Sequence, residues 1–375
     1  MRQLDLRQAG AAKARGGRWA LAYRTVDAGA QVDGLVGRMR EASVFGCTSS
    51  RGVFTPTGFE RGAFALIGDE GDASVDVVLR PATSASARRA ARDAAQQMTA
   101  RFGRKPDTLL LHATPGFEER ILEGIDEAFD GSAPPMYGGS AADDDLSGRW
   151  KIFHGSESLS EGFLLVGFRA DRPILGSFVS GYLPGNQRGT ITRATGRVVN
   201  EIDGRPAAEV YDAWRGGALA SALAKPGVVL ADTTLHPLGR LVDRVGNVPR
   251  YLLSHPHEVR ADHALTLFTD VAVGDELAMM VGSEGGLMER TEQVVARARG
   301  TAHRATPIAG GILVYCGGCV MAIGERAKEV GKLYAKAIAN APFIGAATFG
   351  EIGCFAGPTP TNRHGNLMCD TVLFT

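Results

Sequence analysis

Short apolar runs that break into glycine recur along this chain, and that punctuation constrains the fold more than any other feature. Ser43-Val-Phe-Gly-Cys47 runs into Thr-Ser-Ser-Arg-Gly52, Asp107-Thr-Leu-Leu-Leu-His112 is a short strand of buried type, Gly311 to Tyr315 leads into Cys316-Gly-Gly-Cys319, and Phe343 to Phe349 breaks at Gly350 and Gly353. Helical patterns lie between them. Ser84 to Phe102 is Ala-rich with dispersed arginines behind a Thr/Ser cap, and Phe117 to Phe129 places apolar residues at 117, 121, 122, 125 and 129. Strand, glycine and helix in alternation predict α/β layers.

From Met136 the pattern becomes richer in strands, with Trp150 to His154, Phe163 to Phe168 and Ser177 to Tyr182 separated by glycine turns. Pro206 stands at the first turn of a predicted helix from Ala207 to Trp214. After a turn-rich stretch from Gly246 to Pro256, helices are expected over Met288 to Ala298 and Ala322 to Asn340, and strands over Phe343 to Phe349 and Leu367 to Phe374. The fold class is therefore α/β (α+β), two domains built on mixed β-sheets flanked by helices. The expected division is a loose arm over 1–17, then domains over 18–210 and 211–375.

Lys+Arg and Asp+Glu both total 41 in the 375 residues, so there is no global field to draw in a polyanion, and nucleic acid is disfavoured. The N-terminus carries charge rather than the apolar core of a signal peptide, and no apolar run approaches the ~20 residues of a membrane span, which points to the cytoplasm. Four of the five cysteines fall between positions 316 and 369, and reduced thiols are the expectation.

The candidate chemistry is concentrated near the C-terminus. Glu351, Cys354, His364 and Asn366 follow the Phe343 to Phe349 strand in a glycine-rich stretch that suggests a binding crevice at a sheet end. Cys316 and Cys319 sit between a strand and a helix, the setting for a redox dithiol, a nucleophile, half of a metal site, or a tight turn with two buried thiols. Cys354, His364 and Cys369 would complete a sulfur and nitrogen ligand set, although at no standard spacing. Cys47 and Ser49 lie in a glycine loop that lacks the P-loop ending and reads as a polar ligand contact. Asp143 opens an Asp-Asp-Asp run of a kind that caps a turn, a structural or ligand-orienting role. His255, His257 and His263 could reach a haem or a metal, against the commoner reading of satisfied core or surface histidines.

Gly46 to Gly52, Gly138-Gly-Ser-Ala-Ala-Asp143, Val199-Asn-Glu-Ile-Asp-Gly-Arg-Pro206 continuing to Tyr211, and Gly345 to Glu351 with His364 resemble, in order, the hallmarks of FIST-N and FIST-C sensory proteins. That resemblance implies a bacterial cytoplasmic signal-transduction protein binding small ligands such as amino acids and acting on a separate partner. Some members are haem proteins that sense nitric oxide and control a histidine kinase, so a haem is one cofactor the resemblance implies. This chain departs from the commoner pattern in having Cys-Gly-Gly-Cys and His-Gly-Asn at the supposed pocket. The alternative of another class is a cysteine enzyme with Cys316 as nucleophile or redox thiol, His364 as base and Glu351 or Asn366 as orienter.

Overall fold

The computed structural model describes residues 1–7, 17–69, 71–301, 306–356 and 360–375. One unit recurs three times: a buried strand, a helix, and a second strand parallel to the first. Trp19–Arg24 and Ser43–Thr48 pair in this way around helix Gly29–Arg38. Thr108–Ala113 and Met136–Ser140 pair around Glu118–Ala128, and Gly310–Cys316 and Phe343–Thr348 around Gly317–Ile323 and Ala327–Ala337. Strands covered on both faces read as continuous apolar runs, which is why four of these six, at 43–47, 107–112, 311–315 and 343–349, were visible in the sequence.

Each parallel pair is embedded in a six-stranded mixed sheet, and two of the three sheets draw strands from both sides of residue 210. Glu351–Phe355 and Thr361–Gly365 form a hairpin that extends the sheet of Met136–Ser140. In return, the hairpin of Val53–Thr55 and Gly58–Glu60 pairs with Phe343–Thr348, and Ile174–Val179 pairs with Cys369–Phe374. The three sheets meet in one apolar core. There Trp19, Phe168 and Phe374, one from each sheet, contact one another at centroid separations of 5.7, 5.9 and 5.2 Å. A fourth sheet, antiparallel and nine-stranded, is built from residues 183–281 around its own core of Ile191, Tyr211, Leu265 and Leu277. Among the described residues no helix is long and apolar enough to cross a membrane.

Three expectations are corrected. Within the supposed arm over 1–17, Arg2–Asp5 is a strand paired with Ala63–Gly68, its Leu4 buried against Ala20 and Ile67, while residues 8–16 lie outside the described ones. The helix expected over Ala322 to Asn340 is two helices, because Gly324 takes φ +53 and ends the first at Ile323. The turn-rich stretch from Gly246 is a hairpin of Leu238–Val245 with Val248–Ser254.

Ser49 illustrates how the exchanged strands are held. Its hydroxyl donates to Gly52 O and accepts the Ala347 N–H at 2.8 Å, in a position with no solvent exposure. Ser49→Ala would leave a buried N–H without an acceptor, so urea unfolding should show a loss of about 1–3 kcal/mol.

Candidate functional site

All three parallel units end their strands at one place. The residues after Thr48, Ala113, Ser140, Cys316 and Thr348 converge there and, with the nine-stranded sheet, enclose a cavity of about 420 Å3. Ligand crevices in α/β sheets form at the carboxyl ends of strands, and this volume is within the roughly 300–1,000 Å3 of small-molecule pockets. Trp150, Phe268, Phe349 and Leu230 give it apolar walls, and Ser50, Glu118, Arg197 and Asn366 place polar groups on them.

The FIST N domain matches residues 20–205, and the FIST C domain residues 207–354. The chain belongs to the FIST family. Its domains are associated with sensory signal transduction and small-ligand binding. No curated protein sequence matches the chain. The structure of PurLQS from Thermotoga maritima aligns with 87% of this chain and 74% of that one at 10% identity and a TM-score of 0.23, too low a likeness to carry an argument.

The FIST N part supplies two loops laced to each other. Asp143 accepts from the backbone N–H groups of Asp145, Leu146 and Arg149, and Arg51 N–H donates to Asp144 at 2.6 Å. Asp143 thus shapes the loop that faces the cavity without lining it. Arg51 and Leu146, both on the wall, hold φ of +63° and +61°, and Leu367 beside Asn366 holds +58°. Such backbone strain in non-glycine residues gathers at functional sites.

The FIST C part supplies Cys316, Gly317, Gly318, Thr348 and Phe349, and the residues after it supply Asn366. The Asn366 carbonyl accepts the His255 N–H at 3.2 Å, while its Nδ2, in a side chain 3% exposed, has no hydrogen-bond partner. An amide N–H2 left without a partner on a cavity wall is a waiting donor.

Of the expected ligand contacts, Cys316 and Asn366 line this cavity. Cys47 is buried in the core, its thiol pushed up by burial, and Ser49 is spent on the backbone. Cys319 lies behind Cys316, fully buried. Cys354 lines a separate cavity with Phe178, Arg250 and Phe355, its thiol raised by burial to about 11. His364 borders a third, with its Nδ1 2.9 Å from Glu119 and Gly350 packed so closely that a Cβ there would fall 2.4 Å from Nε2. The glycines of 345–353 admit protein rather than ligand: a Cβ at Gly353 would fall 2.2 Å from the Phe178 ring. Thr361–Gly365, which carries His364, is a strand, and residues 357–359 lie outside the described ones. The sulfur and nitrogen metal set is therefore dispersed, and Cys316 has no hydrogen bond to His364.

Among the described residues, Glu118, Glu119 and His364 instead form the group with ligand atoms within 4.8 Å of one another. Arg197 already fills the cation's role there, bonding Glu118 at 2.7 Å and Glu119 at 2.8 Å. Burial disfavours every charge in this cluster, but their mutual attraction wins, so both carboxyls are lowered and His364 is raised. Sequence reasoning named His364 but missed Glu118, Glu119 and Arg197, because Glu118-Glu119 looks like an ordinary acidic helix start. It also missed Arg290, although Leu287, Arg290, Thr291, Val294 and Ala298 share one helical face and are all buried.

A haem needs an axial imidazole or thiolate. His255, the histidine on the wall, donates Nε2–H to Leu230 O at 3.2 Å and is kept neutral by burial, and burial keeps Cys316 a thiol. His255 is therefore in the neutral form that binds iron, its other ring N–H held by a carbonyl, whereas Cys316 is not a thiolate.

Glu351 is fully buried and accepts from Met368 N–H at 2.9 Å and from Thr348 at 2.8 Å. Burial pushes its carboxyl up to about 8 in spite of these bonds, with negative charge at Cys319 adding to the rise. The folded state thus keeps a proton that the unfolded chain releases near its ordinary 4.5. Stability from this group falls as pH climbs between those values and is level above them. Glu351→Gln should match the native chain near pH 5 and exceed it near pH 8, by up to about 4 kcal/mol at about 1.4 kcal/mol per pKa unit. Urea unfolding at the two pH values measures the difference.

Proposed function

We propose that this FIST protein is a non-enzymatic sensor that holds a small polar ligand, such as an amino acid, in the 420 Å3 cavity and passes the signal to a separate protein, such as a histidine kinase. The observation that carries this reading is the unpartnered Asn366 Nδ2 on a wall built by both FIST domains and by the nine-stranded sheet. Arg51 and Arg197 offer positive charge to a carboxylate, and Glu118, Asp144 and Asp145 offer negative charge to an ammonium group. Because Glu118 and Arg197 also tie the nine-stranded sheet to helix Glu118–Ala128, a ligand that competes for either would bias how the two units sit. No nucleophile–base pair supports the cysteine-enzyme reading, since Cys316 and His364 line different cavities.

Native mass spectrometry of the protein as isolated, followed by thermal shift with each of the twenty amino acids, tests this. The expected result is a retained small molecule or a stabilising amino acid, with the shift lost in Asn366→Ala while that variant's own melting temperature changes little. Loss of one well-placed hydrogen bond to a charged group corresponds to roughly 10-fold weaker binding, from about 1.5 kcal/mol. A protein that carries nothing and responds to none of the panel would overturn the proposal.

A further inference from the structure

The Cys-Gly-Gly-Cys run turns from strand to helix within itself: Cys316 ends Gly310–Cys316 and Cys319 lies in the first turn of Gly317–Ile323. Cys316 lines the cavity with 5% of its surface exposed, whereas Cys319 has none. The two thiols lie side by side, with Cys316 donating to Cys319. Behind Cys319, the Tyr182 oxygen is 3.7 Å from its sulfur.

Arg290 completes this arrangement. It is fully buried with its guanidinium 4.0 Å from the Tyr315 ring centroid, and its Nη1 donates to Ser180 O and Leu367 O. Nε and Nη2 have no hydrogen-bond partner, and among the described residues no carboxylate forms an ion pair with it. A buried guanidinium without a counter-charge is strongly disfavoured, so an anion belongs beside it. Cys319 is the group whose charge acts on it most. Burial alone would raise the Cys319 thiol, yet the hydrogen bond from Cys316 and the Arg290 charge bring it down to about 6.

We propose that Cys316 and Cys319 are a redox dithiol in which Arg290 holds the inner sulfur as thiolate and the cavity admits a hydroperoxide to the outer one, closing a Cys316–Cys319 disulfide. The Cys316 proton passes to Cys319 as the Cys316 sulfur attacks the distal peroxide oxygen and the O–O bond breaks. The departing hydroxide or alkoxide takes that proton, leaving Cys316 as sulfenic acid and Cys319 again a thiolate. Cys319 then attacks the Cys316 sulfur, the S–S bond forms, and hydroxide leaves and is protonated by solvent. Two electrons pass from the two sulfurs to the peroxide, which ends as water, or as water and an alcohol. The peroxide reaches Cys316 through the same cavity that holds the proposed ligand, so the peroxide test is run on protein without added ligand.

Reduced protein is exposed to a small excess of hydrogen peroxide, unfolded into an alkylating agent and mapped by mass spectrometry. The expected product is lighter by two hydrogens, with Cys316 and Cys319 joined and the buried Cys47, Cys354 and Cys369 alkylated. In Cys319→Ser, Cys316 should instead gain one oxygen and be trapped by dimedone. Ultraviolet absorbance of the folded protein at neutral pH should show a thiolate that persists in Cys316→Ser and vanishes in Cys319→Ser. The proposal fails if both cysteines stay alkylatable while other residues oxidise, if native Cys316 proceeds to sulfinic acid without a disulfide, or if no thiolate absorbs at neutral pH.

Discussion

Glu118, Glu119, Arg197 and His364 bring two negative and two positive groups together at a point where little water reaches them. They come from a helix of one sheet layer, the first residue before strand Val198–Ile202 of the nine-stranded sheet, and the last hairpin of the chain. Asp270 N–H, also from the nine-stranded unit, donates to Glu119. The Asp270 carboxylate also pairs with Arg197 at 3.3 Å, and removing one partner of such a buried set typically costs about 3–5 kcal/mol. The position of the nine-stranded sheet on the body, and hence the shape of the cavity between them, depends on this cluster. Its pH dependence has two edges of opposite sign. The lowered carboxyls stabilise the fold above their ordinary range and lose that contribution as pH falls, whereas raised His364 contributes below its ordinary value and loses it as pH rises through the folded one.

What could be read in the sequence was local. Helix Ala207–Trp214 and four strands of the three parallel units follow from periodicity and glycine punctuation, because each is encoded within its own residues. The convergence of Ser50, Glu118, Arg197, His255 and Cys316 on one cavity is not encoded locally. It follows from which strands pair, and the sheets exchange hairpins across the whole chain. The expected site residues were chosen as neighbours in sequence, yet alternation along a strand sends neighbours to opposite faces. Glu351, Cys354, His364 and Asn366 accordingly end in four different surroundings.

Glycine was the feature most open to misreading. A run such as Gly345 to Gly353 announces that something must come close to the backbone, but not what it is. Here the visitors are Phe54 on the paired strand, His364 on the neighbouring hairpin strand and Phe178 from another sheet, so the run marks close packing within and between the sheets. Gly317 and Gly318, by contrast, do border the cavity.

The exchange of hairpins also fixes when the molecule can be completed. Ala347 N–H meets Ser49 across 298 positions, and Met136 N–H meets Asn362 across 226. A ribosome releases the first half of the chain long before its partners exist. Until residues 343–375 emerge, the Met136–Ser140 strand has an open edge and the Val53–Glu60 hairpin has no sheet to join. Contacts this distant slow folding, and unpaired edges invite the wrong neighbour. The nascent chain therefore passes through a long interval in which protection by a chaperone matters more than the final stability of the fold.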